Sequence, residues 1–392
     1  METRVGTAAD ATETEDYLAL ARQAFGKTPY DPPTLLAHGT GLVAVRGSHV
    51  LGGGLFLPFA QHFGGRPVPS GGVAWLAVAP WERGAGLARR LTEEGTDRLR
   101  HEHGAHLAAA WTPAPGVYRR WGWESAAVAS EYVLHPAELP PAPGGFTVSV
   151  PDEAACARLR ERLAAGWNGP VRRPAWWHGW KQRVTEGALT LGVTREDDLA
   201  GYATVTVEPC TPWGVTAVVH DFWHDGLAAL PALLGAVAAR SPQVREIRFR
   251  RSVLPRPSPL QWALDQYAVR EEGRYPWVLT LLDVRRALEA RGWDPHPSGG
   301  VGLEVVSPEG KSARHALTFE EGLLHAQRGG PAAGLPSSRA VRLPAGTLAA
   351  WYAGALTLRH AARLGLAEGH ARDLALLDAL AAGPTPWLPD SF

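Results

Sequence analysis

The sequence is poor in cysteine, in lysine and in net charge, and each shortage removes a class of protein. Its two cysteines, Cys156 and Cys210, lie outside any CxxC or Cys/His spacing, which excludes a disulfide framework and a structural zinc site. Lys and Arg together number 39, as do Asp and Glu. A chain without a basic excess lacks the footprint of a dedicated nucleic-acid binder and the polybasic anchor of a membrane-surface protein. No run of about 18 apolar residues occurs, and the acidic start METRVGTAADATETED has no apolar h-region. Neither a membrane span nor export is therefore expected, and the chain reads as cytoplasmic. Ile247 and Asn168 are the sole isoleucine and asparagine, a narrowness that fits G+C-rich coding and carries no chemistry.

What is present suffices for several domains, since 392 residues exceed what one compact core usually holds. Two proline- and glycine-rich stretches, 139–145 and 293–300, cannot lie inside a helix or strand. They predict three domains at 1–140, 146–292 and 293–392. In the first, hydrophobic periodicity predicts a helix over 14–25, strands over 41–46, 50–59 and 72–78, a helix over 84–103, a strand over 105–110 and a loop over 112–116. The middle segment repeats the order: helix 153–165, strands 189–194, 200–207 and 215–222, helix 227–240, strand 244–249. The last supplies strands at 301–306 and 315–319 and helices at 346–366 and 371–380. The fold class is α/β (α+β), built on mixed sheets.

One run carries chemistry: WLAVAPWERGAGLARRL, residues 75–91. An apolar strand stops at Pro80, a turn carries Gly84-Ala85-Gly86, and a helix opens at once. Such a turn aims backbone N–H groups outward at the positive end of a helix, where a pyrophosphate is favoured, and Arg83 adds a charged donor beside it. The run resembles the acetyl-CoA signature of the Gcn5-related N-acetyltransferase (GNAT) superfamily, Arg/Gln-x-x-Gly-x-Gly/Ala. That resemblance implies acetyl-CoA as co-substrate, with Arg83, Gly84, Ala85, Gly86, Leu87 and Ala88 around its pyrophosphate and the backbone of Leu76, Ala77 and Val78 along its pantetheine. Further on, GVYRRWGWE (116–124) resembles the superfamily's Tyr-x-x-aromatic-Gly-aromatic element. It implies Tyr118 as the general acid for the departing thiolate, a role open to a phenol that stays protonated at neutral pH.

The whole chain resembles the enhanced intracellular survival (Eis) acetyltransferases: an active GNAT domain, a degenerate GNAT-like domain and a sterol-carrier-protein-like C-terminal domain. RYPWVLTLLDVRRALEARG (274–292), GLEVVS (302–307) and the helical end 346–392 carry the likeness, while VHDFWHDG (219–226) stands where a second CoA signature would fall. Members of that family end in a phenylalanine whose free carboxylate is the catalytic base. The resemblance assigns this role to Phe392. The acidic positions that hold polycationic aminoglycosides in the family are here Ala24-Phe25-Gly26-Lys27 and Ser391. Asp31 and Asp390 remain to compensate, and Trp75 takes the place of a pocket aromatic. Phe25, Trp75, Asp390 and Ser391 are thus expected around a small-molecule amine that is smaller or more apolar than an aminoglycoside.

His220, Asp221, His224 and Asp225 invite a metal, but residues four apart on a strand stand about 13 Å apart, and none is expected. Arg245, Arg248, Arg250, Arg251 and Arg256 read as a solvated or subunit-facing edge, and Trp167, Trp176, Trp177 and Trp180 as packing between domains. The expected protein is an acetyl-CoA-dependent N-acetyltransferase forming a homo-oligomer, by resemblance a hexamer. The rival is a non-catalytic acyl-CoA or lipid-binding protein.

Overall fold

The computed structural model describes residues 2–27, 31–210, 213–265, 267–329 and 340–392. The first segment contains β1 (Arg4–Thr7), α1 (Ala11–Phe25), α2 (Pro32–His38), β2 (Thr40–Arg46), β3 (His49–Phe63), β4 (Arg66–Val78), α3 (Leu87–Glu102), β5 (Leu107–Trp111), α4 (Pro115–Arg119) and β6 (Glu124–Leu134). The middle follows with β7 (Thr147–Ser149), α5 (Glu153–Ala164), β8 (Val171–Arg172), α6 (Ala175–Val184), β9 (Leu189–Arg195) and β10 (Asp198–Cys210). It continues through β11 (Gly214–His224), α7 (Gly226–Ala238), β12 (Val244–Phe249), α8 (Leu260–Ala263), β13 (Val269–Leu281) and α9 (Val284–Ala290). The last has β14 (Gly299–Val306), β15 (Ser312–Glu320), β16 (Leu323–Arg328), β17 (Ala340–Pro344), α10 (Ala345–Ala353), α11 (Leu358–Arg363) and α12 (Ala371–Leu380).

One mixed sheet runs β1-β2-β3-β4-β5-β13-β6-β12-β11-β10-β9-β7, with β8 paired to β3. A second, β16-β15-β14-β17, belongs to the last segment. The order crosses the segments: β13 pairs with both β5 and β6, and β6 pairs in turn with β12. The apolar interior follows the same geometry. One core joins the first segment to the last, from Tyr17 and Leu57 through Trp277 to Trp351 and Leu388. A second core lies within the middle segment and takes Tyr132 and Leu134 from β6.

Local chemistry sets the ends of the elements. Asp10 caps α1 by accepting from the Glu13 N–H at 2.9 Å, while Glu13 accepts from the Ala9 N–H at 2.7 Å, a reciprocal cap. The helix predicted from residue 84 opens only at Leu87, because Gly84 and Gly86 have φ of +88° and +79°, which a right-handed helix excludes. The helix predicted over 346–366 is two. Gly354, at φ 91°, closes α10 in the left-handed region and Thr357 caps α11. The loop predicted over 112–116 gives way to α4 at Pro115, a residue suited to the first helical position.

Candidate active site

The site begins with a strand that parts from its neighbour. β4 pairs in parallel with β5 only as far as Val73 opposite Ala110, so on that side the backbone from 74 to 78 has no strand partner. On the other side the register with β3 shifts between Ala74 and Ala77. This bulge brings Trp75 to φ 54°, and the Tyr17 hydroxyl holds it by donating to the Trp75 carbonyl at 3.0 Å. Leu76, Ala77 and Val78 therefore lie on an opened edge, with Trp75 at its start. Phe25 meets the Trp75 ring edge-on, with centroids 5.3 Å apart.

The turn beyond β4 is braced by Arg46, which grips the Glu82 carboxylate through two bonds of 2.7 and 2.9 Å. A Cβ on Gly84 or Gly86 would meet nothing within 4 Å, so both face open space. The first bond onto the helix runs from the Arg90 N–H to the Gly86 carbonyl at 3.1 Å. The N–H groups of Leu87, Ala88 and Arg89 are thus left without intrahelical acceptors. Leu87 buries its side chain and contributes only backbone, while Arg83 is exposed and makes no ion pair among the described residues. These donors around two glycines fit a pyrophosphate. The corresponding turn of the middle segment, from β11 into α7, offers the opposite charge: Asp225 stands there, paired with Arg162 at 2.8 Å.

Tyr118 is buried on α4, its ring 5.2 Å from that of Trp121 and 5.3 Å from that of Trp123. Burial pushes its hydroxyl up to about 12, so it is protonated at any physiological pH and can donate.

The last three residues are wedged between the two halves of the long sheet. The Trp111 indole N–H donates to the Asp390 carbonyl at 3.0 Å. The Asp390 carboxylate accepts from Arg173 at 2.7 Å and from the Val171 N–H at 3.2 Å. Arg173 also forks onto Asp221 of β11 at 2.6 and 3.0 Å. Asp221 takes further bonds from the Tyr202 hydroxyl and the Trp223 indole. Burial raises the Asp221 carboxyl, but Arg173 outweighs it and holds the group well below the usual carboxylate range. Lys181 donates to the Ser391 carbonyl at 3.5 Å. The Phe392 ring lies 5.1 Å from that of Phe59 and against Gly72, where a Cβ would come within 2.6 Å of it.

The sequence-predicted residues thus fall into groups: Phe25 with Trp75, the strand with the glycine turn, Tyr118 among tryptophans, and the tail on Phe59 and Gly72. Asp31 and Asp390, the acids that could partly compensate, both have partners. Asp31 is ion-paired with Arg183, and Asp390 is 1% exposed and turned onto Arg173 instead of the cleft. His220 bonds Thr206 and His224 bonds the Gly226 carbonyl, and no group of three or more potential metal ligands occurs among the described residues. Trp177 packs on Phe59 and Trp180, and Trp167 on Trp387. Sequence reasoning missed Arg173 and Lys181, and weighed Asp221 only as a metal ligand. The available signal was a charge embedded in an apolar strand, as in Val218-Val219-His220-Asp221-Phe222.

Comparison with known proteins bears on this arrangement. The acetyltransferase (GNAT) domain family matches residues 7–126, a second acetyltransferase (GNAT) domain family matches 169–285, and the sterol carrier protein domain matches 284–389. The chain is an acyltransferase of the GNAT superfamily. Two GNAT domains followed by a sterol carrier protein domain make up its order. No curated protein matches it. Among solved structures, a GCN5-related N-acetyltransferase from Anabaena variabilis ATCC 29413 is similar over 100% of both chains, with a TM-score of 0.86 at 21% identity. Another from Kribbella flavida covers 100% of this chain and 98% of its own, with a TM-score of 0.82 at 22% identity. Eis1 from Mycobacterium abscessus covers 100% of both, with a TM-score of 0.77 at 22% identity. Those likenesses concern the fold.

Proposed function

We propose that the protein transfers acetyl from acetyl-CoA directly to a primary amine of a small molecule, working from the first of its domains at 1–140, 146–292 and 293–392. The reading rests above all on one observation, the opened edge at 74–78 leading into a glycine turn whose N–H groups lack acceptors. Pyrophosphate binds the turn from Arg83 to Ala88, and the edges of Leu76, Ala77 and Val78 hold the pantetheine arm. The amine attacks the thioester carbonyl, the Phe392 carboxylate accepts the ammonium proton, and Tyr118 protonates the leaving thiolate. Holding both reactants in one cleft supplies much of the rate.

The middle domain binds no CoA in this scheme, because the Asp225 carboxylate occupies the turn where pyrophosphate would sit. Gly86→Asp should weaken acetyl-CoA at least tenfold, about 1.4 kcal/mol, since it adds a charge at the phosphate. No neighbour would clash with the new side chain, but φ of +79° strains any residue other than glycine there, so circular dichroism must show an intact fold before the affinity is read. Calorimetry checks this: unchanged affinity, or two equal sites per chain, refutes the assignment.

Aminoglycosides should be poor acceptors. Phe25, Trp75 and Ser391 offer them no carboxylate, while Asp31 and Asp390 are already paired. In a panel followed by thiol release, monoamines are expected to match or exceed aminoglycosides in kcat/KM. An aminoglycoside advantage of about tenfold would show that other acids line the cleft. We also propose a closed homo-oligomer, a hexamer by resemblance, acting in the cytoplasm. Trp213, Trp262 and Tyr267 are 87%, 62% and 88% exposed, apolar area that a subunit contact would cover. Light scattering giving the 42.0 kDa mass of one chain would refute it.

A further inference from the structure

The middle domain has lost its phosphate cradle but kept an open cleft. β11 pairs in parallel with β12 only to Val219 opposite Phe249, as β4 pairs with β5 only to Val73. Beyond that last pair the strands part around a cavity of about 1170 Å³, generous beside the roughly 300–1,000 Å³ of ordinary small-molecule sites. His220 lines it from one arm and Arg250 from the other, Lys181 of α6 faces it, and the terminal tail borders it at Pro389 and Ser391.

Of the five acids along this cavity, only Glu186 makes no ion pair among the described residues. Asp221 and Asp31 belong to Arg173 and Arg183, and Glu153 lies on His178 at 3.0 Å. Glu208 reaches Arg250 only at 3.4 Å with both side chains about half exposed, a contact of little strength. Lys181 forms no ion pair among the described residues; its ammonium lies 3.5 Å from the Ser391 carbonyl and 5.1 Å from the centre of the Trp180 ring. His220 registers the resulting field. Its Nε2 lies 2.8 Å from Thr206 Oγ1. Burial first, then Arg250 and Lys181, push its pKa down to about 4 against the opposing pull of Asp221. Two cations thus outweigh the nearby carboxylate at an imidazole held neutral.

We infer that this cleft takes an oxyanion between Lys181, His220 and Arg250, so that the acceptor is an amine carrying a carboxylate or phosphate at its far end. The inference rests on the N-acetyltransferase reading above. An oxyanion there offsets the repulsion between Lys181 and Arg250 and gains charge-assisted hydrogen bonds in an enclosed space. The bordering tail places the far end of such a molecule near the residues assigned to the chemistry.

The test uses the full-length protein and two independent readouts. Thiol release is compared for an alkyl monoamine, an ω-amino carboxylic acid and an ω-amino phosphate of matched length. At least one acidic amine should exceed the neutral one about tenfold in kcat/KM, and Arg250→Met should erase most of that preference through KM. Equal use of all three would overturn the inference and leave the acetyltransferase reading standing. Separately, the His220 ring, assigned with His220→Gln, is titrated by NMR with and without inorganic phosphate or acetate. Its pKa should rise by about one unit with at least one anion in the native protein and less in Arg250→Met. An unmoved His220 overturns the site whatever the amine assay shows. A shift without acidic-amine preference overturns the acceptor assignment. Acetyl-CoA binding with no amine accepted overturns the N-acetyltransferase reading and, with it, the acceptor class inferred here.

Discussion

Appending one alanine after Phe392 should lower kcat about a hundredfold or more while acetyl-CoA affinity stays nearly constant, the usual scale for loss of a general base. The addition keeps every side chain but turns the Phe392 carboxylate into a neutral amide and moves the charge one residue on. The tail has little slack to bring it back. Asp390 is bonded through its carbonyl to Trp111 and through its carboxylate to Arg173, Ser391 is bonded to Lys181, and the Phe392 ring sits against Phe59. Amidating Phe392 should have the same effect at native length, separating charge from crowding. Gly72→Ala should lower kcat by pushing on the Phe392 ring, which a Cβ would approach to 2.6 Å. Normal turnover by the extended and amidated proteins between about pH 6 and 9 would move the base elsewhere.

Replacing Arg173 by Met should cost about 3–5 kcal/mol of stability, because it strands Asp390 and Asp221 in the interior. The pH dependence identifies the cause. In the native protein Arg173 depresses the Asp221 pKa below its unfolded value. The stability this supplies is present above about pH 4 and is lost as pH falls further. Without the guanidinium, burial, the largest influence on Asp221, is opposed only by the weaker pull of Arg160 and Lys181 and by the Tyr202 and Trp223 donors, so its pKa should rise and folding should take up a proton. The variant should then become more stable as pH falls from 7.5 toward 5.5. Urea unfolding at those two values measures the slope, and adding Asp221→Asn should restore part of the loss. A cost below about 1 kcal/mol, or a slope like that of the native protein, would mean the triad contributes little.

How legible the site was depended on how local its geometry is. The turn from Arg83 to Ala88 could be read because two glycines after a proline-stopped strand leave few alternatives. The helix start was misplaced by three residues because the apolar pattern runs back through Gly84, and only φ decides. β6 and β13 were not predicted. Glu124–Leu134 alternates weakly, and Val269–Leu281 holds Gly273 and Pro276, breakers tolerated here beside register shifts. The Arg173 triad was invisible for a different reason. Its members lie at 173, 221 and 390, and no spacing rule reaches across such intervals.

The place of β13 bears on synthesis. When β5 leaves the ribosome, β4 is already beside it but its second neighbour has yet to be synthesised, about 170 residues away at the far end of β13. At about 5–20 residues per second that interval lasts on the order of 10–30 s. Until it ends, β5 and β6 present open edges to each other and to solvent, an invitation to wrong pairings. The first segment alone, expressed to residue 140, would lack β13, the strand that stands between its β5 and β6. Cutting the mature chain at the 139–145 stretch should release nothing, because β13 and β6 pin each half into the other.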